Sequence, residues 1–308
     1  MSGMRKECEI NGLKWIHMTH PSRDDFAYLD GIFPFHPLVK ESVVAPTLHP
    51  LVDSFDDHLF LILHFPIIYE SKQANKVAEV DFLITKNILV TITYMEFKNL
   101  EVLFDDFQKD EEMQKRLAHK HTGILLHYIV DQLFQKLARG LEFMEKEITR
   151  IEDEIFKKGD RRRLVEDISH ARRDILDFRR ALKPQSGVLK SLITEGEQFY
   201  GHSVGPYFAD VLSTEERFEN LVENQRETIE MLHHTNESLL SSRISNIMAV
   251  LTVFSAIVLP LNLIASIWGM NQQIMPLRDG RHDFWIVVGI MAVLLFVLVL
   301  FFKKKRWL

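Results

Sequence analysis

The residues best suited to chemistry in this chain lie near its C-terminal end, on a helix that is otherwise apolar. Ser238, Ser241, Ser245, Met248, Thr252, Ser255, Leu259, Asn262 and Ser266 recur every three or four residues, which places them on one helix face. A carboxamide such as Asn262 inside an apolar helix needs a hydrogen-bond partner or water, and a water-filled axis would supply it. Small hydroxylated residues also pack closely against other helices, so the serines and Thr252 admit that plainer role. His233 and His234 precede the row, and His234 falls on it. Adjacent histidines on an exposed helix are ordinarily solvated. In a ring of chains, one imidazole from each would converge on the axis and bind or repel a divalent ion. The aspartates and other histidines are scattered, no nucleophile is paired with a base by spacing, and neither a phosphate-binding glycine loop nor a His-Glu-x-x-His helix occurs. These features argue against an enzyme.

The elements that carry this row are set by charge segregation. No ionisable acid, Lys, Arg or His occurs from Ile244 to Ile274, and Phe284 to Phe302 is a second uncharged apolar run. Each is long enough to cross a bilayer, which takes about 20 helical residues. Two spans in one chain are too few to enclose water, so a pore requires a closed ring of copies. Lys303, Lys304, Lys305 and Arg306 follow the second run. By the positive-inside rule they place the C-terminus in the cytoplasm, and two spans return the N-terminal part to the same side. The expected location is the cell (inner) membrane, crossed twice, with both termini cytoplasmic. The whole chain carries −6; removing the +4 of the tail, with Arg278, Asp279, Arg281 and Asp283 cancelling, leaves −10 on residues 1–243. Such a domain suits cations and not nucleic acid. Cys8 is the only cysteine, which excludes an intrachain disulfide and agrees with a reducing compartment.

The expected fold is an α+β cytoplasmic domain with a mixed sheet, then a long helical hairpin, a stalk helix and two C-terminal transmembrane helices. Strand signals are an Asn11-Gly12 hairpin within Glu9 to Met18, and the runs Leu59 to Tyr69, Val77 to Thr85 and Ile88 to Tyr94. From Thr122 onward, Phe134, Leu137, Leu141, Met144, Ile148, Ile151 and Ile155 form a heptad seam. Lys158-Gly159-Asp160 interrupts it, and Leu164, Ile168, Ala171, Ile175, Phe178 and Leu182 form a second seam that stops before Pro184. Such seams carry architecture and no chemistry. Ser213-Thr214-Glu215-Glu216 reads as a helix start, with no proline or glycine until Pro260. The resulting divisions are 1–120 for the α/β domain, 121–212 for the hairpin region, 213–246 for the stalk, 247–268 for the first span, 269–283 for the outer loop, 284–302 for the second span and 303–308 for the tail.

Trp268-Gly269-Met270-Asn271 ends the first span, preceded by Met248-Ala249-Val250-Leu251-Thr252 and Pro260-Leu261 and followed by a short loop, a second span and a basic tail. This arrangement resembles the CorA magnesium-transporter family. His36-Pro37-Leu38-Val39-Lys40-Glu41 and Pro206-Tyr207-Phe208-Ala209-Asp210-Val211 are similar to two of its cytoplasmic segments. The resemblance implies a homopentamer in membrane lipid that passes Mg²⁺, with Co²⁺ or Ni²⁺ as further cargo, and needs no resident cofactor. Gly269, Met270 and Asn271 would form the outer selectivity ring. Asn262 would be a second polar ring, Ser245 and Ser255 would line the pore, and Met248, Leu251 and Leu259 would be hydrophobic constrictions. Asp210 would hold a regulatory Mg²⁺.

This sequence departs from the family pattern at four places. His234 stands where a pore aspartate is usual, Ser245 replaces an asparagine, Leu277-Arg278 lacks the common loop acid, and Ser42 replaces the acid that would partner Asp210. Glu41 is the nearby substitute. The alternatives are a zinc transporter of the same architecture, which the imidazole of His234 suits, and a non-conducting membrane-anchored coiled-coil scaffold, which has no use for Asn271.

Overall fold

The computed structural model describes residues 4–10, 12–47, 49–67, 76–117, 121–157, 161–270 and 282–305. Its six strands are β1 (Met4–Ile10), β2 (Leu13–Thr19), β3 (Leu51–Ser54), β4 (Leu59–Ile67), β5 (Lys76–Ile84) and β6 (Ile88–Thr93). They form one sheet in the order β1-β2-β6-β5-β4-β3, antiparallel except where β2 and β6 run parallel. Gly12 has a φ of 86° at the β1–β2 turn, a conformation that favours glycine. Asn11, Tyr69, Lys158, Gly159 and Asp160 lie outside the described residues.

The sheet is covered on both faces. Helices α1 (Arg23–Ile32) and α2 (Pro37–Ser42) pack Leu29, Val39 and Val43 with Ile62, Leu83 and Ile92. A capping box between Ser22 and Asp25 starts α1. The opposite face meets α3 (Lys98–Lys109) and, beyond α4 (Glu111–Leu117), α5 (Thr122–Phe156). There the ring of Trp15 lies 4.7 Å from that of Phe104, and Phe65 lies 5.7 Å from Phe134.

Helix α5 and α6 (Arg161–Leu182) make the expected hairpin. All seven seam residues of α5 are buried, as are Leu164, Ile168, Ile175, Phe178 and Leu182 of α6, with Ala171 half-buried. Next comes α7 (Gln185–Tyr200), with Pro184 at its N-cap. Gln185 is fully buried and clamps β4 past the end of β3: its Oε1 accepts from the backbone N–H of His64 at 3.0 Å, and its Nε2 donates to the His64 carbonyl at 2.9 Å. A side chain thus takes the place of a strand.

A 3₁₀ turn at His202–Val204 leads into α8 (Gly205–Gly269), 65 residues long, or roughly 100 Å at about 1.5 Å per residue. It starts eight residues before the expected Ser213. Pro206, which tolerates only the first turn of a helix, opens it, and Ser213 to Glu216 lie in its interior. The final helix, α9, runs from Asp283 to Lys304. The chain divides into two compact units, Met1–Leu232 and His233–Leu308.

Candidate functional site: one face of the long helix

Two faces of α8 differ in chemistry. In the N-terminal unit, Phe208, Val211, Glu215, Phe218, Val222, Ile229 and Leu232 are buried on a heptad spacing, with Gln225 filling the remaining position. The ring of Phe218 stacks on Phe134 of α5 at 5.8 Å, and Gln225 Nε2 donates to the carbonyl of Leu141 at 3.2 Å. Arg179 of α6 pairs with Glu223 at 2.9 Å, and Lys190 of α7 with Glu216 at 3.2 Å. This is a coiled-coil seam. Its one carboxyl, Glu215, is fully buried, and neither oxygen has a hydrogen-bond partner. Burial, reinforced by Glu219 and Glu216 and opposed by Lys190, raises it to about 8.

His234 is two residues beyond Leu232, or about 200° around the helix axis. It begins the row that continues through Ser238, Ser241, Ser245, Met248, Thr252, Ser255, Leu259, Asn262 and Ser266. The members of the row share one face of the helix. All of its members are exposed, Met248 at 54% and Leu259 at 69%. Exposure continues all the way around α8 from Ser241 to Thr252, so composition and not burial distinguishes this face. Thr252 Oγ1 donates to the carbonyl of Met248 at 2.7 Å and is satisfied within the helix. Leu251, beside the row, is 54% exposed. Pro260 remains helical; lacking an N–H, it leaves the carbonyl of Ala256 without its usual donor.

In the unit His233–Leu308 the buried apolar residues among those described are Val253, Val287 and Phe302. The helices α8 and α9 are each long and apolar enough to cross a membrane. Their apolar surface has far too little internal cover for water. Helix α8 ends at Gly269 and Met270 is exposed, while Asn271 lies outside the described residues, as do Leu277, Arg278 and the Arg306 end of the tail.

Some histidines lie beside acids. His234 Nδ1 and His233 Nε2 each lie 3.5 Å from the carboxylate of Glu237. Asp210 on α8 accepts from His127 Nε2 at 3.0 Å, with Asp131 one turn along α5. Burial raises the Asp131 carboxyl, and the charge on Asp210 adds to this while His127 opposes it. Glu41 is exposed near the end of α2, and Ser42 Oγ donates to the Leu38 carbonyl at 3.0 Å. Among the described residues no three His, Cys, Asp or Glu side chains come close enough to hold a metal ion. The pairing of His127 with Asp210 was not read from the sequence, because the two are 83 positions apart.

A family model described as CorA-like Mg2+ transporter protein matches residues 11–304. The chain is 27% identical over 296 residues to the cobalt/magnesium transport protein CorA of Thermotoga maritima, covering 96% of this chain and 83% of that one. The complete CorA magnesium transporter from Methanocaldococcus jannaschii superposes with a TM-score of 0.84 at 22% identity, covering 96% and 92% of the two chains. The ZntB cytoplasmic domain from Vibrio parahaemolyticus superposes with a TM-score of 0.60 at 14% identity, over 75% and 88%; that likeness is one of fold.

Proposed function

The chain belongs to the CorA-like Mg²⁺ transporter family, a family of transporters and not enzymes, and we propose that it forms a homopentameric, channel-like path for Mg²⁺. In this reading the row from His234 to Asn262 faces the axis and both termini are cytoplasmic. What supports it is the position of that row. Within an apolar helix it carries hydroxyls and a carboxamide where lipid would select neither. Copies of α8 arranged around an axis would give Asn262 water, and would give Met248, Leu251 and Leu259 a dry constriction that opens by wetting.

Asn271, with the carbonyl of Gly269 and beside Met270, would ring the outer mouth. A carboxamide ring suits Mg²⁺, which keeps most of its water, because hydrogen bonds to hydrating water select by size without stripping the ion. An inward-negative potential would drive entry, at about 2.3 kcal/mol per charge per 100 mV. A second reading, Zn²⁺ as cargo, is favoured by one observation: His234 occupies the row as an imidazole, a better ligand for zinc than for magnesium.

The test is uptake of Mg²⁺, Co²⁺, Ni²⁺ and Zn²⁺ into proteoliposomes, with native mass spectrometry in mild detergent. Pentamers and preferred Mg²⁺ uptake are expected, and Asn271→Ala is expected to abolish uptake while leaving assembly intact. Normal uptake by assembled Asn271→Ala protein removes the selectivity role, and monomers alone remove the ring.

A further inference from the structure

Asp81 lies in the middle of β5 and is fully buried. Its cross-strand neighbours, Ile62 and Ile92, belong to the apolar core beneath α1 and α2. Its Oδ2 is 2.6 Å from the hydroxyl of Tyr94, and that same hydroxyl is 2.9 Å from the carbonyl of Val43. Its Oδ1 has no hydrogen-bond partner. Val43 is the C-cap residue of α2, so its carbonyl is among those a helix end leaves unpaired.

A phenol carries one proton, and this one faces two acceptors. Given to an Asp81 carboxylate, it leaves the Val43 carbonyl with no donor and a full charge in the core with one oxygen bare. If Asp81 is instead a carboxylic acid, its proton goes to Tyr94 and the proton of Tyr94 goes to Val43. Both contacts are then satisfied and Asp81 adds no charge to the core.

The surroundings favour the acid form. Burial pushes the Asp81 carboxyl up to about 8; the Tyr94 hydrogen bond opposes this, and Glu79, two residues along the same strand face, adds to it. Glu79 is itself held by the Thr47 backbone N–H at 2.7 Å and by His64 Nε2 at 3.1 Å. Arg180 of α6 lines a cavity of about 400 Å³ with His64, Glu79 and Tyr94. From α1 and α2 the core receives Leu29, Val39 and Val43, which offer Asp81 no positive charge.

We propose that Asp81 is a buried proton-binding site whose acid form fastens the C-terminal end of α2 to the sheet through Tyr94, and that loss of the proton releases α2. On release the Asp81 O–H bond breaks, its proton passes to solvent, and the Tyr94 hydroxyl turns from Val43 to the new carboxylate. The inference goes beyond the transport reading and does not rest on it.

The test uses the full chain in detergent. Infrared spectra below about pH 7 are expected to show a carboxylic-acid carbonyl band that is weaker in Asp81→Asn and fades above about pH 9, as for a buried acid. Glu215→Gln controls for the other acid that is both fully buried and raised to about 8, and should retain the Asp81 part. Hydrogen exchange of the α2 amides should lose roughly tenfold in protection over the same pH rise, the size of one hydrogen bond. Asp81→Asn, whose carboxamide donates to Tyr94 at every pH, should show no such loss, and Tyr94→Phe should show the roughly tenfold lower protection at every pH. Identical carboxyl bands in native and Asp81→Asn proteins, or α2 protection that does not change with pH, overturns the proposal. If Asp81→Asn does not fold, Tyr94→Phe decides: α2 protection equal to native at low pH overturns it, and lost protection supports it.

Discussion

His127 Nε2 stands 3.0 Å from Asp210 Oδ2, so the acid that the family resemblance assigns to regulation already has a partner in its own chain. A divalent ion at Asp210 would compete with that imidazole for the carboxylate. The pair is half-open to solvent and so is worth less than about 1 kcal/mol. If Mg²⁺ binds at Asp210 and shields the chain from proteolysis, His127→Ala should therefore strengthen that protection by up to about fivefold, and Asp210→Ala should abolish it. Equal Mg²⁺ dependence in all three proteins would mean that neither residue takes part.

Glu215 places a carboxyl with no hydrogen-bond partner in the seam of α8. Its folded value is raised from 4.5 to about 8, so between these pH values the folded chain holds a proton that the unfolded chain releases. Stability is therefore lost as pH rises through that window and is flat above it. Glu215→Leu completes an apolar seam and should raise stability near pH 8 by about 1–3 kcal/mol. The gain should shrink as pH falls through 4.5, where the unfolded carboxyl becomes protonated too. Thermal melts of the two proteins across this range check the sign; a gain that grows on acidification would contradict it.

That same residue explains what the sequence hid. The seams of α5 and α6 are legible because every position is apolar at steady gaps, and Gly12 marks the first hairpin. On α8 the period is broken by Glu215 and Gln225, so Phe208 to Leu232 does not stand out, and Ser213-Thr214-Glu215-Glu216 imitates a cap inside a helix that begins at Gly205. Strand β3 is only four residues long, at the sheet edge, and half-exposed; it lacks the alternation that marks a strand. In the candidate site, the polar row on α8 follows from local periodicity. The contact of His127 with Asp210 and the clamp of Gln185 on His64 join residues 83 and 121 positions apart, and only the folded chain brings them together.

Gln185 supplies the donor and the acceptor that β4 lacks beyond β3, and its Nε2 also reaches the Ala181 carbonyl at 3.0 Å. Gln185→Leu keeps the bulk and leaves both backbone groups of His64 buried without partners. At about 1–3 kcal/mol for each such group, the variant should lose about 2–5 kcal/mol in denaturant unfolding. Gln185→Glu should restore the acceptor but not the donor and fall between. A loss under about 0.5 kcal/mol, the range of ordinary surface changes, would show that water replaces the clamp.

His234 offers the sharpest test of the row itself. Its side chain is 78% exposed and meets Glu237, which His233 also approaches at 3.5 Å. The neighbouring histidine is a built-in control, since it lies about 100° away around the helix. If the row faces an axis, His234→Asp replaces converging imidazoles by carboxylates, hard oxygen ligands that hold Mg²⁺ better than imidazole does. Uptake should then shift from Zn²⁺ toward Mg²⁺ by about tenfold, the scale of 1.4 kcal/mol in relative affinity. His233→Asp adds the same charge off the row and should leave the ratio within about twofold. Glu237→Gln separates loss of the local carboxylate contact from a change on the axis, and should resemble His233→Asp. Measuring Zn²⁺ and Mg²⁺ uptake side by side for these proteins decides the matter: equal ratios for His234→Asp and His233→Asp would place His234 on the outer surface of the helix and remove it from the conduction path.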